Sequence, residues 1–523
     1  MIPPGKFSSL HRDGRTRRRD FVAGTAAAVG ATLCTNAVRA VELGRARTIS
    51  IFHTTDLHGR ILPTSSYEGL DDVGGFARCA SCIRQWRRES PHSITVDVGD
   101  VVQGTAVSMQ SGGRLMIDLF NRLGYDAWAL GNHDFDWGPE KLEALLAASS
   151  APILTANITR GGRLPGGLAG GWEKVRPWVI REVGGFRIGL IGLITPGLDF
   201  WLSAETLGGV EATDPAATLA ATVKEVRDAG ADAVVAIGHM GWRFQDDYAN
   251  PVRTVLRAAE GVDVYLAGHS HQNQPSWTLH NVLCSQASYY GIHCGRIDLT
   301  FDLESRRLVD RRGFTLLMDD RFALDPLVIE MARPDLAASD EQLARRLATV
   351  RSPITGGGRG SPLATLLCEF FAAALSRAKT PVDGVFHGTF DTGGLEQGDC
   401  TVADCWRIIP YENLLVTAEL SAAELLAIAR EDASDKRSDR TLWPFRLIRD
   451  GDGGITGIAR DGSSLAGDER LRIAFNSYDS QSGGRRLLKT RSILEQPAAR
   501  RVTTGIDTRS ALIEGLLDKG SVG

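Results

Sequence analysis

Beyond its first forty residues the 523-residue sequence holds no run of about 18 apolar residues, the length a helix needs to cross a bilayer, so no stable membrane insertion is expected of the body. Charge of one sign is missing too. With 59 Lys and Arg against 63 Asp and Glu, the formal net charge is -4, which leaves no bulk electrostatic reason to expect a nucleic-acid polymer or an anionic membrane as partner. Cysteine is sparse at 8, and Cys79 and Cys82 form a C-x-x-C unit that no second such pair follows, so a zinc-ribbon spacing is absent. Aromatics at 7% and hydrophobics at 43% suit a soluble enzyme. No internal repeats are visible. At this length one core is insufficient, and two folded domains behind a leader are expected.

The leader is residues 1–40. Arg17, Arg18 and Arg19 precede a small-residue apolar run from Ala23 to Leu33, and Val38-Arg39-Ala40 offers small residues where a signal peptidase reads. The Arg-Arg-Asp-Phe-Val string resembles the twin-arginine pattern, which implies the twin-arginine export machinery as a partner and a periplasmic or secreted destination. Seven cysteines remain after Ala40. An odd number in an oxidising compartment leaves at least one thiol free or paired between chains, and Cys400 and Cys405 are near enough in sequence to bridge locally.

From Thr48 onward short apolar runs alternate with helical patterns. Strands are expected at Ile49–Thr54, Ile94–Val98, Ala127–Leu130, Ile153–Ala156, Arg187–Leu193, Ala233–Ile237, Val262–Ala267 and Arg296–Phe301. Helices are expected at Gly75–Arg88, Met116–Leu123, Pro139–Ala148, Ala216–Asp228 and Val252–Ala259. The alternation argues for an α/β domain over 45–335 with a largely continuous sheet system. A charged helical segment and the glycine-rich Gly356-Gly357-Gly358-Arg359-Gly360 read as a linker over 336–360, and 361–523 as a second, smaller α/β or α+β domain.

Five of the expected strands end in polar clusters: Asp56-Leu57-His58-Gly59, Gly99-Asp100, Gly131-Asn132-His133-Asp134, Gly238-His239 and Gly268-His269-Ser270-His271. Ligands of α/β proteins gather beyond the carboxyl ends of strands. Carboxylate, amide oxygen and imidazole together suit divalent Mn, Fe, Zn or Co better than Ca or Mg. A lone His such as His53 or His293 is more often structural, and both stay outside the candidate site.

In this order and spacing the five clusters resemble the calcineurin-like metallophosphoesterases. The resemblance implies a four-layer αββα sandwich and two divalent metal ions, one held by Asp56, His58, Asp100 and His271, the other by Asp100, Asn132, His239 and His269, with Asp100 bridging. Two such cations activate a water for in-line displacement. His133 matches the family histidine that stabilises the transition state or protonates the leaving group, and Asp136 would orient it.

The C-terminal half resembles the 5'-nucleotidase family at Gly384–Thr389, Gly398–Thr401, Pro410-Tyr411-Glu412-Asn413-Leu414, Leu420–Leu425 and Asn476–Gly484. That likeness implies a substrate-binding domain whose rotation carries substrate to the metals. It assigns Arg359 to substrate contact, Tyr411 to one face of a base clamp and Leu487 to the other. The chain departs from the family where His387-Gly388-Thr389-Phe390-Asp391-Thr392 lacks the usual Asn and Arg, and where Arg485, Arg486 and Leu487 replace Asp-Gly and an aromatic. Arg485 or Arg486 could supply the lost guanidinium.

The expected function is an exported, dimetal-dependent hydrolase of a small-molecule phosphoester, a 5'-nucleotide or a relative of one. The alternatives are a 2',3'-cyclic nucleotide phosphodiesterase, a thiosulfohydrolase-like enzyme acting on sulfur substrates and, from another class, a nucleotide-binding pseudoenzyme. The complete ligand set argues against the last.

Overall fold

The computed structural model describes residues 44–389 and 393–523. The expected export segment at 1–40, and Phe390, Asp391 and Thr392 of the second-domain string, lie outside the described residues.

The strand Ala46–Thr54 shows how the first domain is built. Ile49 and Ile51 face one way, Phe52 the other, and all three are fully buried. A strand apolar on both faces must lie between two layers. It pairs in parallel with Ser93–Asp97, which leads through Ala127–Ala129 and Ile153–Leu154 to Val175–Arg176, while His293–Asp302 and Leu308–Leu317 add antiparallel strands on its other side. The second sheet runs Asn273–Leu279, Val282–Ala287, Val264–Ala267, Ala233–His239, Phe186–Ile194, Trp178–Val183. The sheet system is therefore not continuous. Ile51, Val96, Val98 and Ala129 of one sheet pack on Leu190, Val235, Ile237 and Leu266 of the other. Each such Val, Leu or Ile side chain contributes about 1.5–3 kcal/mol by leaving water.

Helices cover the outer faces and complete the αββα sandwich. On Phe76–Glu89 the residues Phe76, Cys79, Ala80 and Ile83 recur at helical spacing and bury against the first sheet. On Pro215–Asp228, which Asp214 caps by accepting from the Ala216 N–H, Leu219, Val223 and Val226 bury against the second.

The helix Pro326–Leu343 connects to the second domain. Arg346–Val350, expected in the linker, is a strand paired with Gly398–Thr401 and Ser521–Val522. The reason is burial, because Leu347, Ala348 and Val350 enter the second domain's core. That domain's five-stranded sheet runs Thr441–Trp443, Gly384–His387, Arg470–Asn476, Leu414–Ser421, Val502–Asp507, flanked by helices Pro362–Arg377, Ala422–Ser434 and Thr508–Lys519. No helix among the described residues is long and apolar enough to cross a membrane.

Candidate active site

Strand ends from both sheets of the first domain meet at one place. Asp56 and His58 follow Ala46–Thr54, Asp100 follows Ser93–Asp97, and Asn132 and His133 follow Ala127–Ala129. From the other sheet, His239 ends Ala233–His239, while His269 and His271 follow Val264–Ala267. The ligand atoms of Asp56, His58 and His271 lie within 4.8 Å of one another, and so do those of Asp100, His239 and His269. Asp100 Oδ2 joins the groups, at 3.0 Å from His239 Nε2 and 3.7 Å from His58 Nε2.

The backbone is strained to achieve this. Asp56, His58, Asp100, His269 and His271 all take positive φ, between +49° and +67°. Such conformations cost about 1–3 kcal/mol each in non-glycine residues and persist where surrounding structure enforces them. Two glycines make the crowding possible. Gly99 has φ +105°, and a Cβ on Gly131 would sit 2.2 Å from Asp100 Oδ1.

Whether the cluster fits cations can be read from its hydrogen bonds. His58 Nδ1 donates to the Gln103 carbonyl and His239 Nδ1 to that of Val98, each at 2.9 Å, which leaves both Nε2 atoms for the centre. Asn132 Oδ1 is buried without a hydrogen-bond partner, and His239 Nε2 has only the Asp100 carboxylate, 3.0 Å away, beside it. Carboxylate oxygens and imidazole nitrogens gathered within 4.8 Å of one another, with an unpartnered amide oxygen on the adjoining loop, are a donor set that fits divalent cations.

In the ion-free centre electrostatics divide the histidines. Burial pushes His58 down to about 3, keeping it neutral as a ligand must be. Burial also opposes a proton on His239 and on His133, but neighbouring carboxylates outweigh it. Asp100 lifts His239 to about 10, so a cation bound at its Nε2 would take the place of a proton there, and Asp136 with Asp100 lifts His133 to about 9. His133 Nδ1 lies 2.7 Å from Asp136 Oδ2, and the His133 N–H donates to Asp100 Oδ1 at 2.8 Å.

Sequence reasoning left Asp134 without a role. It accepts from the N–H groups of Asp100, Val101 and Gly131 at 3.1, 2.9 and 2.9 Å, tying two ligand loops together. A fourth polar residue inside an otherwise assigned string was the available signal.

The second-domain residues are placed less uniformly. Tyr411 reaches the centre, its ring 6.2 Å from that of His133 and within 17° of parallel. Arg359 instead donates to Asp432, 2.9 Å to Oδ2 and 2.5 Å to its carbonyl. Leu487 is 1% exposed and packs in the second domain's core with Phe475 and Leu494, so it offers no face to a ligand, contrary to expectation. Arg485 lies 5.1 Å from the ring centroids of both Phe200 and Tyr248 of the first domain, and Arg486 Nε donates to the Gly483 carbonyl. The guanidinium beside Gly483 belongs to Arg440, which is buried and bonded to Asp479 at 2.6 Å. The seven described cysteines are free and buried, and neither metal-capable group among the described residues includes one.

Comparison with known proteins places this geometry. Residues 49–273 match the calcineurin-like phosphoesterase family. A 5'-nucleotidase of Bos taurus is 31% identical over 303 residues, covering 53% of this chain and 50% of that protein, so the chain spans about half the length of this curated relative. Among solved structures, a 5'-nucleotidase precursor from Thermus thermophilus has TM-score 0.68 at 24% identity, covering 91% of this chain and 97% of that one. A sulfate thiohydrolase from the same organism has TM-score 0.62 at 17% identity, covering 91% and 94%. These two likenesses establish the two-domain fold.

Proposed function

With residues 49–273 forming a calcineurin-like phosphoesterase domain as premise, we propose that the chain is a metal-dependent phosphoester hydrolase acting on a 5'-nucleotide or a related small phosphoester. The carrying observation is the pair of ligand triads at the strand ends, with Asn132 Oδ1 buried and unpartnered on the adjoining loop. Two divalent cations held there, Mn, Zn, Fe or Co, would supply a water of lowered pKa and charge stabilisation for the attacking and leaving oxygens.

Asp56, His58 and His271 would hold one ion, Asn132, His239 and His269 the other, with Asp100 shared. His133, oriented by Asp136 through Nδ1, donates a proton to the leaving oxygen. Tyr411, stacked over His133, supports a planar leaving group on its outer face. Leu487 adds no second wall, so a nucleobase would be held on one side only by the residues expected to clamp it. The basic and apolar segment at 1–40 supports export through a twin-arginine route to the periplasm or beyond.

The test is hydrolysis by the manganese-loaded chain, with and without chelator, followed as phosphate release from AMP and glucose 6-phosphate, as ring opening of 2',3'-cyclic AMP to the monophosphate and as nitrophenol release from bis(4-nitrophenyl) phosphate. Chelator-sensitive turnover of AMP supports the reading, and a Tyr411→Ala variant should then raise KM for AMP by about 5- to 100-fold, the value of one base stack, while leaving glucose 6-phosphate less affected. Turnover of the diesters alone would replace the nucleotidase reading with a phosphodiesterase, and none on any substrate would sink the hydrolase.

A further inference from the structure

Arg60 ends the loop that carries Asp56 and His58, and neither the ligand set nor the second-domain pocket uses it. Its guanidinium carbon lies 4.6 Å from the centroid of the Tyr290 ring. Its Nε is buried without a hydrogen-bond partner, and among the described residues no carboxylate forms an ion pair with it.

Tyr290 is built into the same centre. It takes φ +54°, its N–H donates to the Asp56 carbonyl at 2.7 Å, and its ring stands edge-on to that of His58 at 5.7 Å and 87°. Its hydroxyl is paired with that of Tyr67 at 2.7 Å. The shelf under Arg60 is therefore fixed to the ligands Asp56 and His58 through main chain and ring contacts.

A purely structural stack does not account for the arrangement. A partly exposed cation over an aromatic face contributes about 0.5–1 kcal/mol, whereas a buried donor left unmade costs about 1–3 kcal/mol, and more on a charged group. The terminal nitrogens of Arg60 also make no hydrogen bond among the described residues, and they are the donors that an anionic acceptor can reach. Other guanidinium groups near the domain boundary are committed: Arg359 to Asp432, Arg440 to Asp479, and Arg485 to Phe200 and Tyr248.

We propose that Arg60, shelved on Tyr290, is the cationic contact for a tetrahedral oxyanion at this centre, giving two parallel N–H donors to phosphate oxygens. The inference rests on the phosphoester reading above for its substrate class, and its test is a binding measurement that does not require turnover. Inorganic phosphate is titrated calorimetrically into the manganese-loaded full chain, with bound metal quantified by mass spectrometry. Wild type binds phosphate. Arg60→Met, which retains apolar contact with Tyr290 but no donor, loses about 10- to 100-fold in affinity at unchanged metal content, and Arg60→Lys falls between them. Equal affinity in Arg60→Met, or no phosphate binding by the loaded wild type, overturns the proposal. Should Arg60→Met lose its metals, the metal-loaded Arg60→Lys decides, wild-type affinity there being the overturning result. Phosphate binding that weakens in the variants while wild type turns over no phosphoester would remove the hydrolase reading and leave the Arg60 assignment standing.

Discussion

The Nε2 atoms of His58 and His271 lie 3.2 Å apart although 213 residues separate them in the chain. Because Nδ1 of His58 donates to the Gln103 carbonyl, its Nε2 is an acceptor, which an Nε2–H of His271 satisfies in the ion-free centre and which a cation shared by the two rings satisfies only in the folded chain. Metal binding should therefore stabilise the fold. At a free metal concentration 100 times Kd the gain is about 2.7 kcal/mol per independent site. Thermal unfolding followed with excess Mn and again after exhaustive chelation should show a higher Tm with metal, and an unchanged Tm would contradict the assignment. Asp100→Asn, which weakens the shared carboxylate, should lower bound metal below two per chain.

The contact between His133 Nδ1 and Asp136 Oδ2, 2.7 Å long, predicts an ordered pair of effects. His133→Ala should reduce kcat about 10²- to 10⁴-fold, the range for a positioned proton donor, with bound metal retained. Asp136→Asn should cost less, since the imidazole remains. Steady-state kinetics beside metal analysis checks both, and loss of metal from His133→Ala would make His133 part of the ligand set instead.

Gly131 packs where a Cβ would lie 2.2 Å from Asp100 Oδ1 and 2.4 Å from the Asp100 N. Its φ of -104° is one any residue adopts, so the constraint is space alone. Gly131→Ala must displace the bridging carboxylate or its loop, with about 1–3 kcal/mol of overpacking cost. Lower Tm together with weaker metal binding is the expected result. A variant that matches wild type in both would show that the loops can yield.

Arg509, 3% exposed at its side chain, gives two 3.0 Å bonds to Glu412 Oε1, and the other oxygen of Glu412 accepts from Gln103 Nε2 of the first domain at 2.8 Å. Removing one partner of a buried pair leaves the other charge uncompensated at about 3–5 kcal/mol. Glu412→Ala should lower Tm markedly, whereas Glu412→Gln keeps much of the hydrogen bonding and should cost less. Chemical denaturation of the two variants orders them, and the reverse order would dismiss the ion pair as the cause.

Most of the first domain's elements were legible in the sequence because they depend on local pattern. The helical spacing of Phe76, Cys79, Ala80 and Ile83, and the apolar runs of Ile49–Thr54 and Ala233–Ile237, name their elements without reference to anything distant. The polar clusters after Thr54, Val98, Leu130, Ile237 and Ala267 were legible for the same reason: each is a short string punctuated by glycine.

Only the tertiary structure decided which of these surfaces met. The split into two sheets depends on Ile51 and Val96 finding Leu190 and Val235 across the interior, a contact between segments more than ninety residues apart that no local period encodes. The same is true of side-chain fate in the second domain. Arg359, Leu487 and Arg440 have side chains competent for several roles, and a salt bridge to Asp432, a seat beside Phe475 and a bond to Asp479 chose among them. Sequence determined which residues could ligate, stack or cap, since that is intrinsic side-chain chemistry. Folding determined which of them are already satisfied, since burial and partnership are properties of what packs around each residue.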